Sequence, residues 1–138
     1  ATGSRWSEAE SLLPEQVRND SVTFINTKSK RTRTIPISAQ LQQRLHAYFE
    51  QHGRFTSCMH SFRAALKDSA IKLPRGQATH VLRHSFASHF IMNGGNILTL
   101  QKILGHSSLA MTMRYAHLAP EHLVEAVRLG PLSNIIFR

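Results

Sequence analysis

The stretch from residue 79 to residue 92 constrains the fold more than any other, because it has the pattern of an amphipathic helix that ends at Asn93-Gly94-Gly95. Thr79 is the expected N-cap, since its hydroxyl can accept a hydrogen bond from an amide of the first turn. Three apolar residues recur every four positions and predict the face that packs against a core, namely Leu82, Phe86 and Phe90. We therefore expect the other elements to pack around this helix.

Two cationic side chains stand at the beginning of this helix. His80 and Arg83 are three positions apart, so they project from the same face, close to the positive end of the helix dipole. Such a pair can bind a phosphate. Taken alone, the pair fits equally well a histidine packed in the core and an arginine exposed to solvent.

The charge of the chain favours an anionic partner. It has 17 Lys and Arg against 8 Asp and Glu, which gives a formal net charge of +9 and a pI near 10.9. Nucleic acid is the commonest polyanionic partner of so basic a protein. No stretch approaches the ~20 apolar residues of a membrane span. No basic tail adjoins an apolar helix, so a membrane partner is disfavoured.

Length and cysteine content indicate one domain in a reducing compartment. The 138 residues suffice for a domain with its own hydrophobic core. Cys58 is the single cysteine, so no internal disulfide can form, which favours a reducing compartment. We find no signal-peptide pattern and expect a cytoplasmic protein.

A small antiparallel sheet is predicted after a first helix, which runs from residue 6 to residue 13 and ends at Pro14. A tight turn is expected at Asn19-Asp20. Pro36 assigns the third strand to an edge, because proline cannot donate to a central ladder. The segments with the composition of strands are residues 16–18, 22–26 and 34–37.

The connection between the second and third strands is strongly basic. Residues 27–33 carry four cations and no acid, namely Lys28, Lys30, Arg31 and Arg33. Such a tip is commonly a solvated turn, but on a basic protein it suits a DNA groove, where Lys30, Arg31 and Arg33 would contact phosphates.

Two helices are predicted between the sheet and residue 79. Ser38 is the expected N-cap of the first, which ends near residue 53. The second is expected from about residue 57 to residue 71. The residues expected on their buried faces are Leu41, Leu45, Tyr48, Phe49, Phe62, Leu66 and Ala70.

Three more helices are predicted after residue 95. Gly105 is the expected C′ residue of the first, Ser107 or Ser108 would cap the second, and Pro120 would begin the last. The residues expected in their cores are Ile97, Leu100, Ile103, Leu104, Leu109, Met111, Met113, Leu123, Val124 and Val127. The predicted fold class is therefore mainly α (α+β), a helical domain with a small antiparallel sheet of about three strands at one side.

An ordered set of residues resembles the catalytic set of a known family. Nine positions separate His106 from Tyr115, which is the spacing in that family. The segments at residues 2–8, 82–87 and 104–108 are also similar. The set resembles the catalytic domain of the tyrosine recombinases, the phage-integrase family, and temperate-phage integrases look most similar. The matching residues are Arg5, Lys28, His80, Arg83, His106 and Tyr115.

The resemblance implies DNA cleavage and rejoining through a covalent 3′-phosphotyrosyl link. Arg5 and Arg83 would bind the non-bridging phosphate oxygens, because a guanidinium is permanently charged and bidentate. Tyr115 would be the nucleophile. His80 would be the candidate proton acceptor, and His106 a hydrogen-bond donor to the phosphate.

Further roles are implied by the same resemblance. Lys28 would protonate the departing 5′-oxygen, with Lys30 as the alternative, and Glu8 would orient the site. The covalent link conserves the bond energy, so no cofactor, metal or ATP is expected.

The resemblance also implies partners. These are double-stranded DNA attachment sites in a bacterial host, a homo-tetramer linked through residues after about Leu118, and accessory DNA-bending or directionality proteins. The family normally has a helix before the arginine motif, and core-binding and arm-binding domains upstream. We therefore expect residues 1–138 to be a catalytic domain without those upstream domains.

Three other interpretations remain. His80 and His84 form H-x-x-x-H, which could bind zinc, but no third ligand is evident, and His84 and His89 are interpreted as packed or surface residues. A helical DNA-binding module without catalysis would fit the charge, but it would not explain Tyr115 and His106 beside two arginines. A type IB topoisomerase uses nearly the same residues.

Overall fold

The computed structural model describes residues 1–25, 32–74 and 76–120. It is mainly helical, with one three-stranded antiparallel sheet, so the predicted fold class is confirmed. Short 3₁₀ turns lie at Pro14–Gln16 and Ala116–Leu118. The strands are β1 (Val17–Arg18), β2 (Ser21–Ile25) and β3 (Thr32–Pro36), and the helices are α1 (Trp6–Glu10), α2 (Ala39–His52), α3 (Met59–Asp68), α4 (His80–Met92), α5 (Ile97–Leu104) and α6 (Ala110–Met113).

The sheet has the order β1-β2-β3, and both pairs are antiparallel. Asn19 and Asp20 connect β1 to β2 with φ angles of 52° and 50°, as a tight hairpin turn requires and as these two residue types tolerate. Pro36 lies in β3 at an edge of this order, opposite Ser21. The turn and the edge position are therefore as predicted.

One hydrophobic core lies between the sheet and α2. The Ser38 Oγ atom accepts a hydrogen bond from the Leu41 amide at 3.2 Å, so the predicted cap begins α2. Phe49 of α2 is buried, and Leu45 and Tyr48 pack against the same core. The buried core residues are Leu12, Val17, Val22, Phe24, Ile35 and Phe49.

A second core joins α4, α5 and the segment around Tyr115. Leu100 and Leu104 of α5 are fully buried, and Gly105 follows with φ 65° as the predicted left-handed C′ residue. The buried residues of this core are Ala87, Ile91, Leu100, Leu104 and Tyr115.

The buried face of α4 differs from the predicted one. Leu82 is 51% exposed, and Phe86 and Phe90 are only partly buried. The face that enters the protein lies one position later, with Arg83 followed by two small or aliphatic residues, Ala87 and Ile91. An arginine can occupy this position because backbone carbonyls satisfy it, and apolar periodicity alone does not reveal them.

Several local predictions near α1, α3 and α4 are wrong. Helix α1 ends at Glu10 rather than residue 13. The Thr79 side chain makes no capping hydrogen bond, because its backbone is already helical at φ −87° and ψ −29°. Helix α3 ends at Asp68, and Ala70 is exposed with φ 57°, which terminates the helical path. Phe62 contacts Trp6 with ring centroids 4.9 Å apart, which holds α3 against α1.

The segment before Tyr115 also differs from its prediction. Neither predicted serine caps α6, whose N-cap is Leu109 without a side-chain bond. Three residues predicted as core filler are exposed, namely Leu109, Met111 and Met113. The buried residue of α6 is Thr112. A threonine can be buried here because its hydroxyl is hydrogen-bonded to His106.

Some predictions concern residues outside the described ranges. These are Lys28, Lys30, Arg31 and the helix and tail after Pro120. In the ranges that the structure does describe, no helix has both the length and the apolar content needed to cross a membrane.

Candidate active site

A cavity of about 210 Å³ opens where the residue before α1 meets α4 and α6. Its lining brings together five of the six residues predicted to be catalytic, and the sixth, Lys28, lies outside the described ranges. Four of the lining residues are cations or histidines that the prediction named, so the cavity is suited to an anion. The lining residues are Arg5, His80, Arg83, His84, His106, Met111, Arg114 and Tyr115.

Arg83 forms the buried wall of this cavity. Its side chain donates from Nη1 to the Gly3 carbonyl at 2.7 Å and from Nη2 to the Leu104 carbonyl at 2.5 Å. Burial, and then the nearby Arg5 and Arg33, lower the pKa of Arg83 to about 10, so it stays charged at neutral pH. The two bonds fix the guanidinium plane and leave other N–H donors for an anion.

Two glycines place the carbonyls that hold Arg83. Gly3 has φ 61°, and a Cβ atom there would lie 2.5 Å from a Phe86 ring carbon. Gly105 ends α5 in the left-handed conformation, which leaves the Leu104 carbonyl at an unpaired helix end. Arg83 satisfies that carbonyl, where a cation also interacts favourably with the helix dipole.

Glu8 joins Arg5 to Arg33. Its Oε1 atom accepts from Arg5 Nη1 at 2.9 Å and from Arg33 Nη1 at 2.8 Å, while Oε2 accepts from the Arg5 amide at 2.7 Å and from Arg33 Nη2 at 2.6 Å. Burial alone raises the pKa of Glu8, but the hydrogen bonds from Arg33 and Arg5 outweigh it and lower the pKa to about 2. Glu8 is therefore ionised and orients Arg5 towards the cavity.

The position of Arg33 corrects its predicted role as an exposed phosphate contact. Its side chain is only 12% exposed. Besides its two bonds to Glu8, Arg33 donates from Nε to the Ile103 carbonyl at 3.0 Å and lies over the Phe24 ring at 4.8 Å. Arg33 thus ties the start of β3 to α1 and α5, and its guanidinium is a structural group rather than a free cation.

Tyr115 is buried, and its hydroxyl contacts a histidine. The Oη atom lies 2.5 Å from Nδ1 of His84. Burial raises the pKa of Tyr115, and Arg114 and Arg83 only partly offset this, so the phenol is neutral at neutral pH. Burial, and then Arg114, His80 and Arg83, lower the pKa of His84, which leaves its imidazole neutral as well.

His84 is the residue that the sequence prediction missed. It was interpreted as a packed or surface residue, but it lines the cavity and contacts the predicted nucleophile. His80, the predicted proton acceptor, lines the same cavity and is exposed, and among the described residues the histidine bonded to Tyr115 is His84. In the sequence, His84 follows Arg83 directly and lies one helical turn after His80, but this spacing does not show that His84 contacts Tyr115.

His106 is oriented by a threonine that was also missed. Its Nδ1 atom lies 2.8 Å from the Thr112 hydroxyl, which is fully buried. Burial, and then Arg83 and Arg5, lower the pKa of His106 to about 4, so it is neutral at neutral pH. A neutral imidazole has one N–H, and the bond to Thr112 therefore decides whether Nε2 is a donor or an acceptor.

Comparison with known proteins places this geometry in a family. Residues 1–122 match the profile of the family described as "Phage integrase family". The chain belongs to that family. It is 56% identical over 136 residues to the integrase of Escherichia phage 186, covering 98% of this chain and 40% of that protein. It is 32% identical over 139 residues to the tyrosine recombinase XerC of Chromobacterium violaceum, covering 89% of this chain and 46% of that protein.

A solved structure supports the same assignment. The catalytic domain of bacteriophage HP1 integrase superposes with a TM-score of 0.83 at 54% identity, covering 99% of this chain and 80% of that one. The chain of this integrase-family member spans about two-fifths of the length of its curated phage relatives, 40% for phage 186 and 39% for Haemophilus phage HP1.

The side chains that line the cavity of this integrase-family chain are suited to attack on a phosphodiester. Arg5 and Arg83 can neutralise a phosphodiester, the neutral phenol of Tyr115 can attack phosphorus, and the neutral imidazoles of His84 and His106 can exchange protons. Within the described ranges, no group of three or more His, Cys, Asp and Glu side chains is placed to hold a metal ion. In the H-x-x-x-H pair, the Nδ1 atom of His84 is bonded to the Tyr115 hydroxyl.

Proposed function

We propose that residues 1–138 are the catalytic domain of a site-specific DNA recombinase that integrates and excises a phage genome. It would cleave and rejoin DNA through a 3′-phosphotyrosyl intermediate. The observation that carries this proposal is the Tyr115 hydroxyl in one cavity with Arg5, Arg83 and three histidines.

The arginines address the main barrier of the reaction. A phosphodiester is a poor electrophile because its negative charge repels nucleophiles, so charge neutralisation must come first. Arg5 is aimed by Glu8, and Arg83 is fixed by two carbonyls. Both guanidiniums therefore need little reorganisation when a phosphate binds, and that is the condition under which electrostatic stabilisation is most effective.

Tyr115 would attack phosphorus in line with the departing 5′-oxygen. The new O–P bond forms as the P–O5′ bond breaks, and His106 donates a hydrogen bond to the phosphate. Lys28 protonates the leaving oxygen, with Lys30 as the alternative. The reverse step, attack by the 5′-hydroxyl of another strand, reseals DNA without ATP or metal.

The partners follow from the same chemistry. The net charge of +9 supports double-stranded DNA attachment sites as the substrate. Residues after about Leu118 would link protomers into a homo-tetramer on that DNA, with accessory DNA-bending or directionality proteins, in the cytoplasm of the bacterial host.

A nicked suicide substrate tests the proposal. Loss of a short strand after cleavage traps the covalent adduct, which migrates slowly in a denaturing gel. The parent chain and Tyr48→Phe should form the adduct, because Tyr48 packs against Phe55 away from the cavity. Tyr115→Phe should bind DNA without forming it. An undiminished adduct in Tyr115→Phe would overturn the proposal.

A second assay separates recombination from topoisomerase-type relaxation. The full-length protein is incubated either with two attachment sites or with supercoiled DNA that lacks a site. The proposal predicts strand exchange between the sites and little relaxation of the other plasmid. Efficient relaxation without any exchange would favour a topoisomerase.

A further inference from the structure

We propose that His84 is the catalytic base that removes the proton from Tyr115 as the tyrosine attacks DNA. The inference rests on the proposed function, and it assigns to His84 the role that the sequence suggested for His80. It concerns the one imidazole of the cavity for which the structure gives a direct bond to the reacting oxygen.

The geometry favours proton transfer along this contact. His84 Nδ1 and Tyr115 Oη are 2.5 Å apart, close enough for a proton to pass directly between them. His84 projects from α4 one turn after His80, and Tyr115 follows the end of α6, so two packed elements hold the pair together. The remaining wall is cationic, which favours loss of a proton from Tyr115 once a phosphate is bound.

The protonation states match this role. The charged and titratable groups around His84 are Arg83 and His80 on α4 and Arg114 beside Tyr115, and together with burial they keep the imidazole neutral. A neutral imidazole has one nitrogen free to accept a proton. Tyr115 is a neutral phenol in the same surroundings, so the base and the acid are both in the form that the step requires.

The step balances without another reactant. The O–H bond of Tyr115 breaks, the proton moves to His84 Nδ1, and the electron pair left on Oη forms the new O–P bond. The P–O5′ bond breaks with its electrons on O5′, which takes a proton from the proposed lysine acid. Because the pKa of Tyr115 is raised and that of His84 is lowered, transfer occurs as the O–P bond forms rather than before it.

Single-turnover cleavage across pH tests this role with His84→Asn. Asparagine retains a polar atom near the position of Nδ1 but is not basic. At neutral pH, cleavage by this variant should fall by about 10²–10⁴-fold, the usual effect of losing a general base, while its DNA affinity stays unchanged.

The pH profile separates a base from a positioning group. The parent rate should fall as pH drops below the lowered pKa of His84, because protonated His84 cannot accept a proton. The cleavage rate of His84→Asn should not show this fall. It should instead rise about tenfold per pH unit, because hydroxide replaces the base. His80→Asn should retain the fall. His89→Asn, on the exposed side of α4 and outside the cavity, is the matched control and should match the parent.

A spectroscopic measurement on the unmodified chain provides an independent test. Long-range ¹H–¹⁵N spectra of histidine distinguish the two neutral tautomers, and the proposal requires His84 to carry its proton on Nε2. Any of three results would overturn it: a proton on Nδ1, wild-type cleavage by His84→Asn, or slow cleavage by that variant with an unchanged pH profile. An adduct in Tyr115→Phe would instead overturn the proposed function.

Discussion

Individual side chains in this cavity are held by partners that determine their chemistry. Arg83 is bound by two carbonyls, Arg5 by Glu8, Tyr115 by His84 and His106 by Thr112. His84, His106 and Tyr115 are neutral at neutral pH, whereas Arg83 is charged. At the scale of residues, therefore, the site combines fixed positive charge with groups that can exchange a proton near neutral pH.

Thr112 offers a test of this positioning. Thr112→Val removes the hydroxyl bonded to His106 Nδ1 and nearly preserves the shape of the side chain. His106 can then adopt either tautomer, so a donor to the phosphate is lost part of the time. Cleavage should slow by about tenfold, less than the 10²–10³ for outright loss of an oxyanion donor. Thr112→Ser, which retains the hydroxyl, should cleave at a rate close to the parent's in the same single-turnover assay. Equal rates for the valine and serine variants would contradict the assignment.

At the scale of elements, Glu8 and Arg33 connect three segments that are distant in sequence. Arg33 at the start of β3 contacts Glu8 of α1 and the Ile103 carbonyl of α5. Gly105 stands close to the same side chain, since a Cβ atom there would lie 3.2 Å from Arg33 Cδ. The hairpin that carries Lys28 is therefore anchored at its base to the arginine site.

Loss of the Glu8 carboxylate should weaken this connection. Glu8→Gln should lower the free energy of unfolding by about 3 kcal/mol at pH 7, because Arg33 keeps its charge in a largely buried place without its partner. The folded-state pKa of Glu8 is lowered from 4.5 to about 2, so its stabilisation is complete above pH 4.5 and is lost as pH falls towards 2. Urea unfolding at several pH values should show this loss in the parent but not in the variant. Parallel pH curves for the two proteins would show that Glu8 is not the group responsible.

Lys28 on the same hairpin is the proposed acid. Lys28→Ala should slow cleavage of ordinary DNA by about 10²–10⁴-fold. A substrate with sulfur at the 5′-bridging position needs no proton on its leaving group, so it should restore most of the rate. Lys30→Ala is the matched control and should show no such rescue. If Lys30→Ala is the rescued variant, the acid is two positions further along the chain.

The elements that sequence predicted best are those with local signals. The Asn19-Asp20 turn, the edge position of Pro36, the Ser38 cap and the Gly105 C′ residue each depend on the chemistry of one or two residues. The buried face of α4 was misassigned because Arg83 is satisfied by Gly3, 80 positions away, and by Leu104, 21 positions away. Contacts between residues so far apart in sequence, including that of Arg33 with Glu8, produce no periodic pattern from which they could be predicted.

The candidate site was predictable for a different reason. Its residues are scattered along the chain, and only their order and spacing, compared with a known family, indicated that they converge. His84 and Thr112 were missed because their roles arise from packing against Tyr115 and His106. A histidine within an amphipathic helix does not reveal by itself which side chain it contacts.

At the scale of the whole molecule, two cores support one cationic cavity. The sheet and α2 form one core, and α4, α5 and the Tyr115 segment form the other. Tyr115 belongs to the second core and also lines the cavity. Tyr115, the proposed nucleophile, is therefore held by the packing of its own chain.

Assembly should depend on the end of the chain. Residues 135–137 are Ile-Ile-Phe, and an apolar tip of this kind needs a surface to cover it. Deletion of residues 133–138 should leave a folded domain that binds DNA but no longer assembles on synthetic junction DNA, as measured by sedimentation. In the full-length protein, strand exchange should be lost before cleavage. If the shortened chain assembles as well as the parent, the tail packs within its own fold. Failure of the shortened chain to fold would lead to the same conclusion.

The most direct test of the central claim is to map the covalent adduct by mass spectrometry. Trypsin cuts after Arg44, Arg54, Arg114 and Arg128, so Tyr115 and Tyr48 fall in separate peptides, residues 115–128 and residues 45–54. After reaction with the nicked substrate and nuclease digestion, the peptide of residues 115–128 should carry the remaining nucleotide, with the phosphate on Tyr115. A nucleotide on residues 45–54, or on any residue other than Tyr115, would contradict the account.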